Sequence, residues 1–88
     1  MLYNDGFSYS NIIAAGTTTL ISGRKGVLHA INVNNPYVGT TIIKDGSGTI
    51  ATIGTPSINP ATIAFDARVK DGLVAISTGT PDITIIYK

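Results

Sequence analysis

Side chains that branch at the β-carbon dominate this sequence of 88 residues. Fourteen isoleucines, five valines and twelve threonines make up 31 of the 88 positions. Such side chains lose rotamer freedom in a helix but pack well on a pleated sheet. The usual helix formers are scarce, because the chain has four leucines, one methionine and neither glutamate nor glutamine. The composition therefore predicts an all-β protein.

Eight short segments have the alternation or the β-branched content that is typical of a strand. They cover residues 8–14, 18–22, 27–34, 40–45, 49–53, 62–69, 73–78 and 82–87. Alternation is clearest in the last segment, where Ile83, Ile85 and Tyr87 fall on one face. Many short strands separated by turns indicate a β-sandwich or a partly closed barrel. Eight strands suit a jelly-roll-like arrangement, although their order does not follow from the sequence.

Glycine, asparagine and proline mark the turns between these segments. The Asp-Gly pairs at 45–46 and 71–72 predict tight hairpins, and residues 23–26 predict a third hairpin tip. Asn-Asn-Pro at 34–36 should end the third strand, since proline has no N–H to donate to a sheet. Residues 55–60 contain two prolines and are predicted to cross between sheets.

A chain of this length has room for one hydrophobic core, so residues 1–88 are predicted to form a single domain. Residues 1–10 contain three of the six aromatic side chains and no basic residue. They fit two alternatives equally well, an extended arm that docks on a partner by strand addition and the first strand of the same domain. Such a small domain buries roughly 60–65% of its unfolded surface, so oligomerisation is a common further support.

The residue content argues against a catalytic, metal or nucleic-acid site. The net charge is +1 without a basic cluster, whereas nucleic-acid binding needs basic patches. One histidine and no cysteine exclude a multi-histidine or thiolate metal site within one chain. No apolar run approaches the roughly 20 residues that span a bilayer. We therefore expect no enzymatic activity, no cofactor, and neither a nucleic acid nor a membrane as a partner.

His29, the sole histidine, lies within the third predicted strand. A catalytic triad would need a serine and an aspartate beside it, but the chain has no nucleophile-elbow motif. We expect His29 to be a strand residue that is hydrogen-bonded to a neighbour. In the sixth strand, Asp66 and Arg68 are two residues apart and should lie on one face, where a surface ion pair would contribute only about 0–1 kcal/mol.

Adjacent isoleucines at 12–13, 42–43 and 85–86 place apolar side chains on both faces of three predicted strands. Only one face of a strand enters the core of a sandwich, so the other should contact another chain or be covered by a loop or by the N-terminal segment. The candidate interface residues are aromatic or basic: Tyr3, Phe7, Tyr9, Arg24, Lys25, His29 and Tyr37.

Five motifs follow one another along the chain. They are GVLHAINVN at 26–34, GTxxIxD at 39–45, IATI at 50–53, DGLV at 71–74, and TG followed by DITIxY within 78–87. Through this series the chain resembles small virion structural proteins of tailed bacteriophages. The resemblance spans nearly the whole domain, and its specificity comes from the series rather than from any one motif.

The resemblance implies a compact β-sandwich that is part of the phage particle and has no enzymatic activity. The leading expectation is a capsid-associated decoration or cement protein that stabilises the shell through contacts with the major capsid protein or other virion proteins. It would be located in the virion, after assembly in the host bacterial cytoplasm, as a homo-oligomer, with a trimer among the alternatives. The other expectation is a tail- or fibre-associated module that binds a host surface glycan or receptor.

Overall fold

A computed structural model describes residues 7–35, 38–54 and 61–88, and these ranges contain eight β-strands and no helix. The strands are β1 (Ser8–Ile12), β2 (Gly16–Ser22), β3 (Gly26–Val33), β4 (Thr40–Asp45), β5 (Gly48–Gly54), β6 (Ala61–Val69), β7 (Gly72–Ser77) and β8 (Ile83–Tyr87). The predicted all-β class is confirmed. Every predicted strand boundary lies within two residues of the observed one.

The strands pair as mirror images about the middle of the chain. β1 pairs with β8, β2 with β7, β3 with β6 and β4 with β5, all antiparallel. The chain is therefore one long hairpin whose tip is the turn between β4 and β5. Further β3–β8 and β4–β7 pairings fold this hairpin into two four-stranded sheets.

Sheet A has the order β1-β8-β3-β6 and sheet B the order β2-β7-β4-β5. This is the strand order of a jelly roll, a sandwich that consists of two four-stranded sheets. The jelly-roll-like sandwich predicted from the sequence is confirmed. The two sheets do not close into a barrel.

Most connections pass from one sheet to the other. The hairpin predicted at 45–46 is confirmed, and Gly46 has a φ of +58°, which glycine adopts without a Cβ penalty. The hairpins predicted at 23–26 and 71–72 are wrong, because β2 and β3, and also β6 and β7, lie in different sheets. Residues 55–60 lie outside the described ranges, but the strands on either side of them are in different sheets, as predicted.

The hydrophobic core lies between the sheets. Sheet A contributes Ile31 and Ile85, and sheet B contributes Ile43 and Leu73, all of which are fully buried. Burial of each such side chain contributes roughly 1.5–3 kcal/mol. The alternation predicted for β8 is also present, because Ile83 and Ile85 are buried while the intervening Thr84 is only half-buried.

The paired isoleucines divide between the core and the surface. Ile43 and Ile85 are buried, whereas the adjacent Ile42 and Ile86 lie half-buried on the outer faces of sheets B and A. The third pair, at 12–13, has its first member buried and its second 69% exposed. The prediction that isoleucine remains outside the core is therefore confirmed at all three pairs.

Candidate interaction surface

The outer face of sheet A contains three of the predicted interface residues. Phe7 precedes β1, Tyr9 lies in β1 and His29 lies in β3. Strand pairing aligns Tyr9 with Ile86 on β8 and Ile86 with Ala30 on β3. Tyr9 is 74% exposed and Phe7 is 51% exposed. We call this surface the aromatic face, defined by Phe7, Tyr9, His29, Asp66, Ile86 and Lys88.

One end of the aromatic face is a cluster of an aromatic ring, an imidazole and two charged groups. The ring of Phe7 stacks on the imidazole of His29, with centroids 4.4 Å apart and planes 25° apart. His29 Nδ1 lies 2.5 Å from Asp66 Oδ1. Lys88 Nζ lies 5.3 Å from the centroid of the Phe7 ring, within the range of a cation–π contact. The prediction that His29 is a strand residue hydrogen-bonded to a neighbour is confirmed.

An irregularity in β6 places Asp66 beside His29. The β3–β6 register shifts between Leu28 and Ala30, so that β6 has one more residue than β3 at this point. Asp66 adopts a φ of +49°, in the left-handed region that aspartate tolerates better than most residues. Among the residues that the structure describes, Asp66 contacts the imidazole of His29 rather than the guanidinium of Arg68.

A row of hydroxyl and amide side chains crosses sheet A next to the aromatic face. Its members align across all four strands and are Asn11, Thr84, Asn32 and Thr62. Thr84 Oγ1 accepts hydrogen bonds of 3.0 Å from the amides of both Asn11 and Asn34. We call this row the polar strip. Thr62 Oγ1 donates to Asn32 Oδ1 at 2.8 Å, so every member of the polar strip has a hydrogen-bond partner.

The other candidate residues lie elsewhere or outside the description. Arg24 and Lys25 are exposed in the connection between β2 and β3, where Arg24 Nη1 donates to the carbonyl oxygen of Lys25 at 3.3 Å. Tyr3 and Tyr37 fall outside the described residues. Lys88 was not among the predicted residues, since it reaches Phe7 only because β1 pairs with β8, and no local signal marks that pairing.

A shallow, open depression of about 350 Å³ lies where β1 leads into β2, and residues 10–18 line it. This lining contains hydroxyl, amide and aliphatic groups but no titratable side chain, so it offers no acid, base or charged ligand. Elsewhere in the described ranges, no three histidine or acidic side chains are close enough together to hold a metal ion. The described residues also include no helix that is long and apolar enough to cross a membrane.

The side chains of the aromatic face are therefore suited to binding a partner through non-covalent contacts. It combines exposed rings, aliphatic groups and a histidine–aspartate pair with a neighbouring strip of hydrogen-bonded polar groups. Comparison of the chain with protein-family models, with curated proteins and with solved structures gives no match.

Proposed function

We propose that the protein is a structural component of a tailed-phage particle, acting as a capsid-associated decoration or cement protein. The resemblance of its motif series to small phage virion proteins suggests the setting. In this role the jelly roll is a rigid unit that binds the major capsid protein, or another virion protein, and stabilises the shell through subunit contacts. The protein acts as a homo-oligomer, with each copy presenting the same surface.

The aromatic face is the observation that carries this proposal. Aromatic residues are enriched at protein–protein interfaces, and charged residues are depleted at interface centres. Tyr9 and Phe7 are exposed here, and the half-buried Ile86 continues the apolar surface onto β8. The charged side chains of Asp66 and Lys88 lie at the Phe7 end. A partner that covers this face gains about 25 cal/mol for each Å² of apolar surface removed from water.

The two outer faces of the sandwich differ in a way that favours sheet A. One row of side chains crosses the outer face of sheet B. It consists of Ile76 and Ile42 in the middle, with Thr17 at one end and Thr52 at the other. These side chains present no ring and less contact area than Tyr9 and Phe7. We therefore assign attachment to the aromatic face and expect the outer face of sheet B to tolerate charge.

Attachment is tested with particles that assemble after deletion of the gene for this protein. Purified protein is mixed with these particles, and bound protein is measured after sedimentation. The wild type should bind, and Ile86→Lys should lose binding because it places a charge in the middle of the apolar row. Ile42→Lys is the matched control, since Ile42 is also half-buried on an outer face beside a buried isoleucine.

The proposed role fails if the wild type does not bind the particles. If the wild type binds but both lysine variants lose binding equally, attachment does not occur through the aromatic face. Circular dichroism spectra of the two variants should match that of the wild type, so that a loss of binding is not a loss of folding.

A second candidate function is a tail- or fibre-associated module that binds a host surface glycan or receptor. The observation that favours it is the position of Tyr9 beside Asn11 and Thr84, because sugars stack on rings and exchange hydrogen bonds with amides and hydroxyls. A glycan array probed with the purified protein tests this function. Immuno-electron microscopy of particles then separates the two candidates, since a label on the head supports decoration and a label on the tail supports the module.

A further inference from the structure

We propose that two copies of the chain associate through their β1 strands, which pair antiparallel at the free edge of sheet A. This inference deepens the proposed homo-oligomer, on which it rests, by naming the strand and the geometry of self-association. An edge strand leaves backbone N–H and C=O groups without a partner strand, and another strand can pair with them. The sandwich has four edge strands, β1 and β6 in sheet A and β2 and β5 in sheet B, and they differ in how regular a free side they present.

Three of the four edge strands carry an irregularity that disrupts pairing along the free side. β2 has an extra residue, Leu20, opposite β7, and β5 has an extra residue, Ile50, opposite β4. In β6 the extra residue accompanies the left-handed Asp66. Bulges of this kind are one of the ways in which sheet proteins prevent their edges from pairing with another chain.

β1 is the exception among these edges. Its register against β8 is unbroken from Ser8, opposite Tyr87, to Ile12, opposite Ile83. Its sequence, SYSNI, contains no charge and no proline, which are two other common protections of an edge. Among the residues that the structure describes, no strand pairs with the outer side of β1, which is therefore a regular template for one more strand.

Exposed apolar side chains are concentrated at this same edge. The described residues include five large hydrophobic side chains that are exposed, and Phe7, Tyr9 and Ile13 are three of them. All three lie within β1 or directly beside it. A strand added to β1 would cover part of this surface and so join apolar burial to backbone hydrogen bonding.

The occupant that fits is a second copy of this chain. Antiparallel pairing about a two-fold axis at Ser10 aligns Tyr9 with Asn11 of the second copy, and Ser8 with Ile12. Residues 7–13 contain no charged side chain, so this self-pairing brings no like charges together. The two copies of sheet A become one eight-stranded sheet. The two-fold axis pairs the β1 edge of one copy with the β1 edge of the other, so no β1 edge remains for a third copy and the association closes at a dimer.

The first test measures self-association of the full chain by light scattering and sedimentation over a range of concentrations. The wild type should dimerise, and Tyr9→Lys should weaken dimerisation about tenfold or more, since each dimer loses two copies of the contact. Thr17→Lys is the matched control, because Thr17 is also exposed on an edge strand, β2, and should leave dimerisation unchanged.

The second test fixes the register by cross-linking. The chain has no cysteine, so each variant carries a single thiol. Directly opposed residues on antiparallel strands have Cα atoms about 4.5–5.5 Å apart, which a disulfide can bridge. Ser10→Cys should therefore give a disulfide-linked dimer under mild oxidation. Thr52→Cys, an exposed position on the β5 edge, should remain a monomeric thiol under the same conditions.

A wild type that stays monomeric, or a trimer that Tyr9→Lys does not affect, would overturn the β1 pairing. So would equal disulfide yields at positions 10 and 52. None of these results decides whether the protein attaches to a particle, which the sedimentation of protein with particles measures separately. A monomer that still binds particles would remove the dimer and the proposed homo-oligomer but leave the proposed attachment to the particle intact.

Discussion

The carboxylate of Asp45, at the end of β4, accepts the backbone N–H of Asp71 at 2.9 Å, and the two residues are 26 positions apart in the chain. The N–H of Lys70 also donates to this carboxylate, at 3.0 and 3.1 Å from its two oxygens. These bonds tie the β4–β5 hairpin tip to the connection between β6 and β7. The Asp71 and then the Lys70 backbone hydrogen bonds hold the pKa of Asp45 below its ordinary value.

The lowered pKa of Asp45 predicts a loss of stability in acid. A carboxylate whose pKa is lower in the folded state stabilises the protein above its unfolded pKa, about 3.9 for aspartate. That stabilisation disappears as the pH falls through the folded pKa. Urea unfolding between pH 7 and pH 2.5 should therefore show a smaller acid-induced loss for Asp45→Asn than for the wild type. Asp71→Asn is the control variant, because it also removes one carboxylate but keeps the backbone N–H that donates to Asp45. An acid-induced loss in Asp45→Asn equal to that of the wild type would contradict this prediction.

Two glycines that face each other are predicted to be intolerant of alanine. Gly39 and Gly79 have φ values of +130° and +75°, and a Cβ on either would collide with a backbone carbonyl oxygen, that of Thr78 or that of Val38. Gly39→Ala and Gly79→Ala should each lower the free energy of unfolding by at least about 2–3 kcal/mol. Thermal and urea unfolding measure this loss.

Gly48→Ala is the control for this prediction. The nearest non-neighbouring atom to a Cβ at Gly48 is the carbonyl oxygen of Asp45, at an ordinary contact distance of 3.6 Å. This variant should stay within about 0.5 kcal/mol of the wild type. A similar loss in all three variants would mean that the close approach at Gly39 and Gly79 is not the cause.

The adjacent isoleucines of β4 should respond very differently to truncation. Ile43 is fully buried, so Ile43→Ala should cost about 2–5 kcal/mol through lost burial and a residual cavity. Ile42 lies half-buried on the outer face, and Ile42→Ala should cost less than about 1 kcal/mol. Urea unfolding compares the two losses. Equal losses would show that both faces of β4 are enclosed.

The hydroxyls of Thr41 and Ser77 form a buried polar pair between the sheets, 3.0 Å apart. Ser77→Ala removes one side of this hydrogen bond within the protein interior and should destabilise the fold by about 1–2 kcal/mol. Ser22→Ala changes an exposed serine of the same sheet and should be neutral within about 0.5 kcal/mol. Urea unfolding of both variants checks this, and a neutral Ser77→Ala would show that the pair does not stabilise the sandwich.

The strands were predictable because their signals are local. β-branched content and glycine placement are properties of neighbouring residues, and they located every strand to within two positions. Sheet membership was harder, because Asp-Gly at 45–46 and at 71–72 is the same dipeptide in two different contexts. The first closes a hairpin, and the second begins a passage between sheets. What decides between them is the pairing of distant strands.

The candidate surface was likewise predictable in its residues but not in their arrangement. Phe7, Tyr9 and His29 were identified from their residue types and their predicted strands. Their meeting on one face depends on the order β1-β8-β3, which a single sequence does not specify. The contact between His29 and Asp66 also depends on the register shift between β3 and β6. No glycine lies next to either residue, so the sequence has no local signal for this shift.

The mirrored pairing of the strands also implies an order in which the molecule forms and opens. Asp45 and Gly48, which pair beside the tip, are three residues apart, whereas Asn11 and Thr84 are separated by 73. Loop-closure entropy rises with separation, so the inner pairs should form before the outer ones and should open after them. β1 is then the last strand to join sheet A and the first to leave it. Its amide hydrogens should exchange fastest among the strands, and a partner that holds β1 would slow the opening of the whole domain from its outer end.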